Sequence, residues 1–267
     1  MSTLARNTSP AVGPPDFRLD GRTALVTGAS SGLGRHFARL LAAQGASVAV
    51  AARRADKLAG LVDEIRMDGG QALAVTLDVT DPESVEEALS AMAEGIGDPD
   101  VVINKAGLTV TRPLLEQTVL DFDNVMDTNL RGCWMVATAA ARRMVAAGRR
   151  GSIVNIASIL GERVAGGVAP YAISKAGVIQ ATKAMALELA RYGIRANALL
   201  PGYVITDLNR EFLESDAGKK LQARIPTRRF SELADLDGPL LLLASDAGRA
   251  MSGAAVAVDG AHLVSSL

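Results

Sequence analysis

Apolar and polar residues follow two distinct rhythms along this chain. Short runs rich in apolar and β-branched residues predict strands at 23–27, 47–52, 72–78, 100–104, 151–158, 194–200 and 254–259. Longer amphipathic segments between them predict helices at 32–44, 56–67, 82–95, 119–147, 170–192 and 232–244. This alternation predicts an α/β fold, in which one domain holds a doubly wound parallel sheet with helices on both faces.

Two stretches depart from that alternation. Residues 1–16 are rich in Pro, Gly, Ser and Thr without any periodicity, which predicts a flexible N-terminal arm ahead of a domain over 17–267. Residues 202–253 contain no predicted strand. Long excursions from the carboxyl end of a strand usually cover a ligand, so we expect 203–228 to cover the substrate.

Composition then excludes several classes of protein. Of the 267 residues, 49% are hydrophobic and 21% are charged, as in an ordinary globular enzyme. A net charge of −1 gives no reason to expect nucleic-acid or membrane binding. The one cysteine, Cys133, cannot form an intramolecular disulfide, and two histidines leave little for a metal site. No apolar run is long enough for a membrane span, and we expect a cytoplasmic protein without a metal.

A glycine-rich loop follows the first predicted strand and leads directly into a helix. Its glycines, Gly28, Gly32 and Gly34, have the spacing G-x-x-x-G-x-G rather than the more familiar G-x-G-x-x-G. Glycines let the backbone approach a pyrophosphate, and the helix N-terminus favours the anion. The segment 28–32 also matches the G-x-S-x-G of a hydrolase, but His36 is too close to it and His262 is almost at the chain end.

Arg53 and Arg54 stand at the end of the second predicted strand, where an NAD site places an acidic residue. Two guanidinium groups suit the 2′-phosphate instead, which predicts a preference for NADP(H), with NAD(H) still possible. Ser31 leaves the glycine loop without a basic residue of its own, and this favours only a moderate preference.

A possible proton-transfer group lies in the second half of the chain. Tyr171 and Lys175 are four residues apart, so the phenol and the ammonium share one helix face. A neighbouring cation favours the phenolate and makes a tyrosine usable as an acid or base. Ser158 ends a predicted strand at the same edge of the sheet, and Asn129 adds a further polar group.

Taken together, these motifs resemble the short-chain dehydrogenase/reductase family over about residues 17–267. The matching segments occur in the family's order: TGASSGLG at 27–34, LDVTD at 77–81, NKAG at 104–107, Asn129, IVNIAS at 153–158, YAISK at 171–175 and PGYVIT at 201–206. The resemblance implies a seven-stranded Rossmann-type sheet. It also implies hydride transfer between a nicotinamide cofactor and a ketone or secondary alcohol. Gluconate 5-dehydrogenases and 3-oxoacyl-(acyl-carrier-protein) reductases are equally similar at this level.

The same resemblance implies a role for each matched residue. Tyr171 would be the general acid/base, and Ser158 would donate to the substrate oxygen. Lys175 would bind the nicotinamide ribose and lower the tyrosine pKa, and Asn129 would hold a water of the proton relay. The implied cofactor contacts, with Tyr171 and Lys175, are Gly28, Ser30, Ser31, Gly32, Leu33, Gly34, Arg53, Arg54, Asp78, Val79, Asn104, Ala106, Gly107, Pro201, Gly202, Val204 and Thr206. The implied substrate contacts are Ser158, Leu160, Tyr171 and Tyr203.

Some features of the chain leave alternatives open. Lys105 stands where the family usually has Asn or Ala, and Gly260-Ala261 replaces a usual glycine pair, which predicts a stiffer turn. The fold could also serve as a sensor or scaffold without turnover, or as an NAD-dependent alcohol or sugar-acid dehydrogenase. By resemblance, the helices at 119–147 and 170–192 pair with those of other subunits in a homotetramer or homodimer.

Overall fold

A computed structural model describes residues 16–206 and 209–265 of the chain. Seven parallel strands form one sheet in the order β3-β2-β1-β4-β5-β6-β7, so the predicted doubly wound parallel sheet is confirmed. The strands are Thr23–Thr27 (β1), Ser47–Ala52 (β2), Gln71–Thr76 (β3), Val101–Asn104 (β4), Gly151–Ile156 (β5), Ile194–Pro201 (β6) and Ala255–Val258 (β7).

Helices connect these strands and cover both faces of the sheet. They are Gly32–Ala43 (α1), Ala55–Met67 (α2), Pro82–Ile96 (α3), Val119–Met126 (α4), Gly132–Ala146 (α5), Ala169–Leu189 (α6), Arg210–Glu214 (α7), Asp216–Gln222 (α8) and Asp237–Ala244 (α9). One core cluster joins α1, α2 and α9 to the sheet, and a second joins α3, α5 and α6 to the other face. The predicted placement of helices on both faces is therefore confirmed.

Hydrogen-bond register aligns the central strands at the edge where they end. Val26 of β1 pairs with Ile103 of β4, which pairs with Val154 of β5. Because parallel strands end on the same side of a sheet, the loops after β1, β4 and β5 leave it side by side. This edge collects most of the residues to which the sequence assigns chemistry.

The predicted elements differ from the observed ones in three places. The predicted helix at 119–147 is divided by a π-helical turn at Asp127–Arg131, which separates α4 from α5. The predicted helix at 232–244 begins as a 3₁₀ turn at Leu233–Leu236 before α9. The segment 203–228 contains two helices, α7 and α8, that were not predicted. They have only 5 and 7 residues, too few to show a helical period of apolar residues.

The final turn of the domain contains an alanine with a positive φ. Gly260 and Ala261 have φ of 64° and 68°, so an alanine takes up a left-handed conformation that glycine adopts more easily.

The predicted N-terminal arm lies outside the described residues except for Asp16, as do residues 207 and 208 of the segment 203–228. Among the described helices, none combines the length and the apolar character that a membrane crossing requires.

Candidate active site

The glycine loop between β1 and α1 forms one wall of a cleft at the carboxyl edge of the sheet. Gly28 and Gly32 have φ of 66° and 52°, values that side chains disfavour. A Cβ on Gly34 would collide with the carbonyl group of Gly28, so only glycine allows α1 to begin this close to β1. Ser31 is the N-cap of α1 but makes no side-chain capping hydrogen bond, which leaves the first N–H groups of α1 for a ligand.

The turn after β4 forms the next part of the wall, and Thr27 holds it in place. The Thr27 hydroxyl accepts hydrogen bonds from the backbone N–H groups of Lys105 and Ala106, each at 3.0 Å. A Cβ on Gly28 would come within 3.0 Å of the Ala106 backbone, so these two segments are in direct contact. Thr27 was not predicted as a site residue from the sequence, although its position just before the glycine loop could have indicated a structural role there.

Both arginines predicted to read the 2′-phosphate lie next to this wall. Arg54 donates from Nη2 to the Ser30 hydroxyl at 2.7 Å and to the Ser31 hydroxyl at 3.4 Å, so it lies over the glycine loop. Hydrogen bonds from Thr80 hold the pKa of Asp78 below its usual value, and the charge of Arg53 lowers it further. Arg53 therefore stands close enough to the predicted adenine side of the cleft to interact with Asp78.

Two predicted cofactor residues use their side chains inside the protein. The Asn104 amide is buried and donates to the Asn155 side-chain oxygen at 2.9 Å, while its own oxygen has no partner among the described residues. Val79 is buried, and its methyl group packs where a Cβ on Gly132 would stand. The side chains of both residues are therefore buried in the protein interior.

Ser158, Tyr171 and Lys175 come together at the end of β5. Lys175 is buried at the start of α6, and its Nζ donates to the Ile156 carbonyl oxygen at 2.7 Å. The same Nζ lies 5.6 Å from the centre of the Tyr171 ring. Ser158 is buried, and its hydroxyl interacts with the Tyr171 phenol and accepts the Leu160 N–H at 3.1 Å. A serine, a phenol and an ammonium therefore share one pocket.

Burial shifts the pKa values of both Tyr171 and Lys175. Burial raises the pKa of Tyr171, and although the Ser158 hydroxyl opposes the shift, the net direction is upward. Burial, with a smaller contribution from the nearby charge of Lys105, lowers the pKa of Lys175 to about 8. The upward shift is set by burial of the phenol, and the expectation that Lys175 lowers the tyrosine pKa stays a prediction.

Asn129 reaches the site through other residues. It lies buried in the π-helical turn, donates to the Leu108 carbonyl oxygen at 2.9 Å and to the Ser174 hydroxyl at 3.0 Å, and accepts the Leu108 N–H at 2.8 Å. Ser174 in turn donates to the Tyr171 carbonyl oxygen at 2.7 Å. Both amide hydrogens of Asn129 are therefore used within the protein, and its side-chain oxygen accepts one hydrogen bond.

The segment after β6 closes the far side of the cleft. A Cβ on Gly32 would stand 3.7 Å from a methyl carbon of Thr206, so this segment meets the glycine loop. Tyr203 packs against Phe230 and His262, and its charge state affects Tyr171. Val204 is buried and bridges to Ser231. Pro201 ends β6, and Gly202 lies against Asp259.

The cleft fits a dinucleotide better than a metal ion. Gly28 and Gly32 leave bare backbone beside the N-terminus of α1, which favours an anion, and Arg54 lies over this loop. In the described part of the chain, no three His, Cys, Asp or Glu residues are placed to hold a metal. Cys133 is buried and burial raises its pKa to about 12, so it is a packing residue.

Known proteins resemble this chain over nearly its whole length. The family model described as enoyl-(acyl carrier protein) reductase matches residues 28–261. L-Rhamnose 1-dehydrogenase (NAD(P)(+)) of Azotobacter vinelandii is 38% identical over 91% of this chain and 97% of its own. A 3-oxoacyl-(acyl-carrier-protein) reductase of Staphylococcus epidermidis is 36% identical over 90% of this chain and 98% of its own.

A solved structure has the same fold as this chain. The gluconate 5-dehydrogenase of Burkholderia cenocepacia, solved in complex with NADP and tartrate, superposes with a TM-score of 0.90. It is 37% identical to this chain and covers 94% of it, and 99% of that protein is matched. Sequence and fold therefore agree on one family.

The close approach of Gly34 to Gly28 generates a test of the glycine loop. We expect Gly34→Ala to displace the loop, because the new methyl group meets backbone rather than a flexible side chain. Overpacking of this kind costs about 1–3 kcal/mol of stability. Loss of one backbone contact to a phosphate weakens NADPH binding about tenfold or more. Urea unfolding and fluorescence titration with NADPH measure the two effects.

Gly60→Ala is the matched control for this substitution. Gly60 is exposed within α2, and a Cβ there meets nothing within 4 Å. We expect this variant to gain about 0.5–1 kcal/mol from helix propensity and to bind NADPH as the wild type does. Unchanged NADPH affinity in Gly34→Ala would contradict the assignment of the loop.

Proposed function

Because the chain belongs to the short-chain dehydrogenase/reductase family, we propose that it interconverts a ketone and a secondary alcohol with NADP(H), using Ser158, Tyr171, Lys175 and Asn129. Membership makes it an oxidoreductase that acts on CH–OH groups. The cofactor preference and the residue roles are the proposal. The observation that carries them is that Ser158, Tyr171 and Lys175 lie together at the end of β5. The glycine loop leaves the sheet at the same edge.

The arrangement suits reduction of a carbonyl group. A reduced nicotinamide, when bound, supplies a hydride to the carbonyl carbon. Ser158 donates a hydrogen bond to the carbonyl oxygen, and Tyr171 gives that oxygen its proton, so the products are the alcohol and the oxidised cofactor. Since burial raises the pKa of Tyr171, the phenol holds its proton at neutral pH and is ready to act as the acid. In the oxidation direction the Tyr171 phenolate must accept the proton of the alcohol, so that direction is favoured by higher pH.

Lys175 and Asn129 position these groups. The Lys175 ammonium is fixed by the Ile156 carbonyl and has further donors to offer to ribose hydroxyls. Asn129 ties the π-helical turn to the start of α6 through Ser174. A sensor or scaffold without turnover would not need a serine, a phenol and a buried ammonium in one pocket, so we favour the enzyme.

Tyr171→Phe tests the proposed function most simply. The substitution removes only the hydroxyl, so the affinity for NADPH should stay near that of the wild type. Turnover should fall by roughly 10²–10⁴-fold, the usual contribution of general acid–base catalysis. Steady-state kinetics with a ketone, together with NADPH titration, separates the two effects.

Tyr192→Phe provides the control, because Tyr192 is partly exposed beyond the end of α6. We expect this variant to keep wild-type turnover. If Tyr171→Phe turns over as fast as Tyr192→Phe, Tyr171 does not transfer the proton.

The preference for NADP(H) rests on Arg53 and Arg54. Both are exposed at the end of β2, Arg54 over Ser30 and Ser31 and Arg53 near Asp78. Charge-assisted contacts from a guanidinium suit a phosphate, which the ribose of NAD(H) lacks. Solved relatives include proteins with bound NADP, which supports a nicotinamide dinucleotide in this cleft. NAD(H) would lose only the phosphate contact, so an NAD-dependent enzyme is the alternative.

Arg53→Asp should reverse this preference. Its carboxylate removes one phosphate contact and adds repulsion, so NADPH should weaken about tenfold or more while NADH is unchanged or improved. Specificity constants for both cofactors, in the wild type and the variant, provide the measurement, and NADH is the internal control. A wild type that favours NADH, or a variant with unaltered NADPH kinetics, rules out this role for the arginines.

The segment 203–228 is proposed to choose the substrate. Leu213, Ile225 and Phe230 form a small core of their own, packed with Tyr203. Tyr203 connects this core to Tyr171, so Tyr203 and Leu160 are the proposed substrate contacts beyond the proton-transfer group. The relatives act on sugars, sugar acids and 3-oxoacyl groups by name. A panel of a sugar, a sugar acid and a 3-oxoacyl compound, with alcohols tested with NADP⁺ and ketones with NADPH, identifies the class on which this chain acts.

A homo-oligomer, either a tetramer or a dimer, is the proposed assembly, and the cytoplasm is the proposed location. An apolar groove runs between the π-helical turn, α5 and α6, lined by Met126, Leu130, Trp134, Gly177, Ala181 and Ala184. Trp134 is 47% exposed there. Small residues on α6 allow a second copy of these helices to approach closely, and an exposed tryptophan suits an interface.

Trp134→Glu should weaken this assembly, because a carboxylate would be buried without a partner. We expect light scattering after size-exclusion chromatography to report a smaller particle than the wild type. Met67→Glu on α2 is the control, since Met67 is 79% exposed on another helix, and it should keep the wild-type mass. A monomeric wild type, or a Trp134→Glu variant of undiminished mass, contradicts the proposed interface.

A further inference from the structure

Lys105 occupies a place in the cofactor cleft to which the family resemblance assigns no function. It follows β4 directly, and its backbone N–H donates to the Thr27 hydroxyl at 3.0 Å. Its Cδ lies 3.2 Å from the point where a Cβ on Gly28 would stand. The lysine stem therefore lies against the first glycine of the loop, in space that only a glycine leaves open.

Lys105 interacts electrostatically with two other cations, Arg54 and Lys175. Its side chain makes no hydrogen bond or ion pair with any residue in the described ranges 16–206 and 209–265. Burial lowers the pKa of Lys105, and Arg54 lowers it further. The same lysine contributes to the lowered pKa of Lys175. Lys105 is thus the cation that interacts with both Arg54, over the loop serines, and Lys175, beside Tyr171.

Within the described part of the chain, none of these three cations has an acidic partner, so an anion bound among them would stabilise them together. Repulsion between like charges and the desolvation of Lys105 both cost free energy in the free protein. An anion placed among the three groups removes both costs. Arg54 lies over the loop serines, and Lys175 donates to the Ile156 carbonyl oxygen. The stem of Lys105 lies beside Gly28, the first glycine of the phosphate-binding loop.

We propose that Lys105 binds the pyrophosphate of the dinucleotide, the part that NADP(H) and NAD(H) share. This inference rests on the proposed function, since it assumes that the cleft takes a nicotinamide dinucleotide. Lys105 then supplies, from the end of β4, a positive charge beside the first glycine of the loop. It raises affinity for both cofactors, whereas Arg53 and Arg54 distinguish between them.

Neutral substitutions at Lys105 separate these roles. Lys105→Asn and Lys105→Gln remove the charge but keep a polar side chain, so each should weaken NADPH and NADH alike, about tenfold or more. The ratio of the two dissociation constants should stay at the wild-type value. Cofactor fluorescence titrations measure both constants. ADP-ribose has the pyrophosphate but lacks the nicotinamide and the 2′-phosphate, and the affinity for it should fall by the same factor.

Thermal unfolding adds a readout that is independent of activity. Removal of the repulsion should leave the melting temperature of the free variants equal to or above that of the wild type. The rise in melting temperature on adding NADPH should be smaller, because that rise follows affinity. Lys183→Gln is the control, since Lys183 is exposed on α6, and it should change neither value.

The possible outcomes distinguish this inference from the function on which it rests. A wild type that binds neither nucleotide overturns the proposed function itself. A wild type that binds both, with Lys105→Asn and Lys105→Gln at wild-type affinity or tighter, overturns the inference alone. Weakening of NADPH without weakening of NADH and ADP-ribose also overturns it, because the lysine would then contact the 2′-phosphate.

Discussion

Parallel hydrogen bonding between β1, β4 and β5 determines where each functional group of this protein emerges. Val26, Ile103 and Val154 stand abreast in the sheet, so the segments that follow them leave it at one edge. A shift of register would separate the glycine loop, the turn at Lys105 and the strand end that carries Ser158. The Thr27 hydroxyl reinforces this alignment by joining the ends of β1 and β4. The cleft is therefore a consequence of the strand ladder.

Positive charge is the second property that organises the cleft. Lys175 is buried and fixed by one carbonyl oxygen, and burial lowers its pKa to about 8. Burial raises the pKa of Tyr171 at the same time, so the phenol is protonated beside an ammonium whose charge is costly. A bound dinucleotide brings phosphates that offset this cost. In this account, cofactor binding and the proton-transfer group are coupled through electrostatics, with Lys105 between them.

The sequence predicted those parts of the site that depend on local spacing. The glycine loop, the Tyr171–Lys175 pair and the strand ends follow from short-range patterns, and so does the order of strands and helices. Properties that depend on residues distant in sequence were not predictable. The upward pKa shift of Tyr171 depends on its burial, and the cationic surroundings of Lys105 depend on Arg54 and Lys175. The π-helical turn around Asn129 and the short helices α7 and α8 lack a long apolar period and were likewise missed.

A crystal structure of the protein with NADP⁺ bound tests the central claim most directly. The account predicts the pyrophosphate over Gly28 and Gly34, the 2′-phosphate at Arg53 and Arg54, and the nicotinamide against Ser158 and Tyr171. Lys175 should then contact the nicotinamide ribose, with room for a carbonyl carbon about 3–3.5 Å from the reacting ring carbon. A dinucleotide bound elsewhere, or bound in reverse with its adenine at Ser158 and Tyr171, would contradict the account.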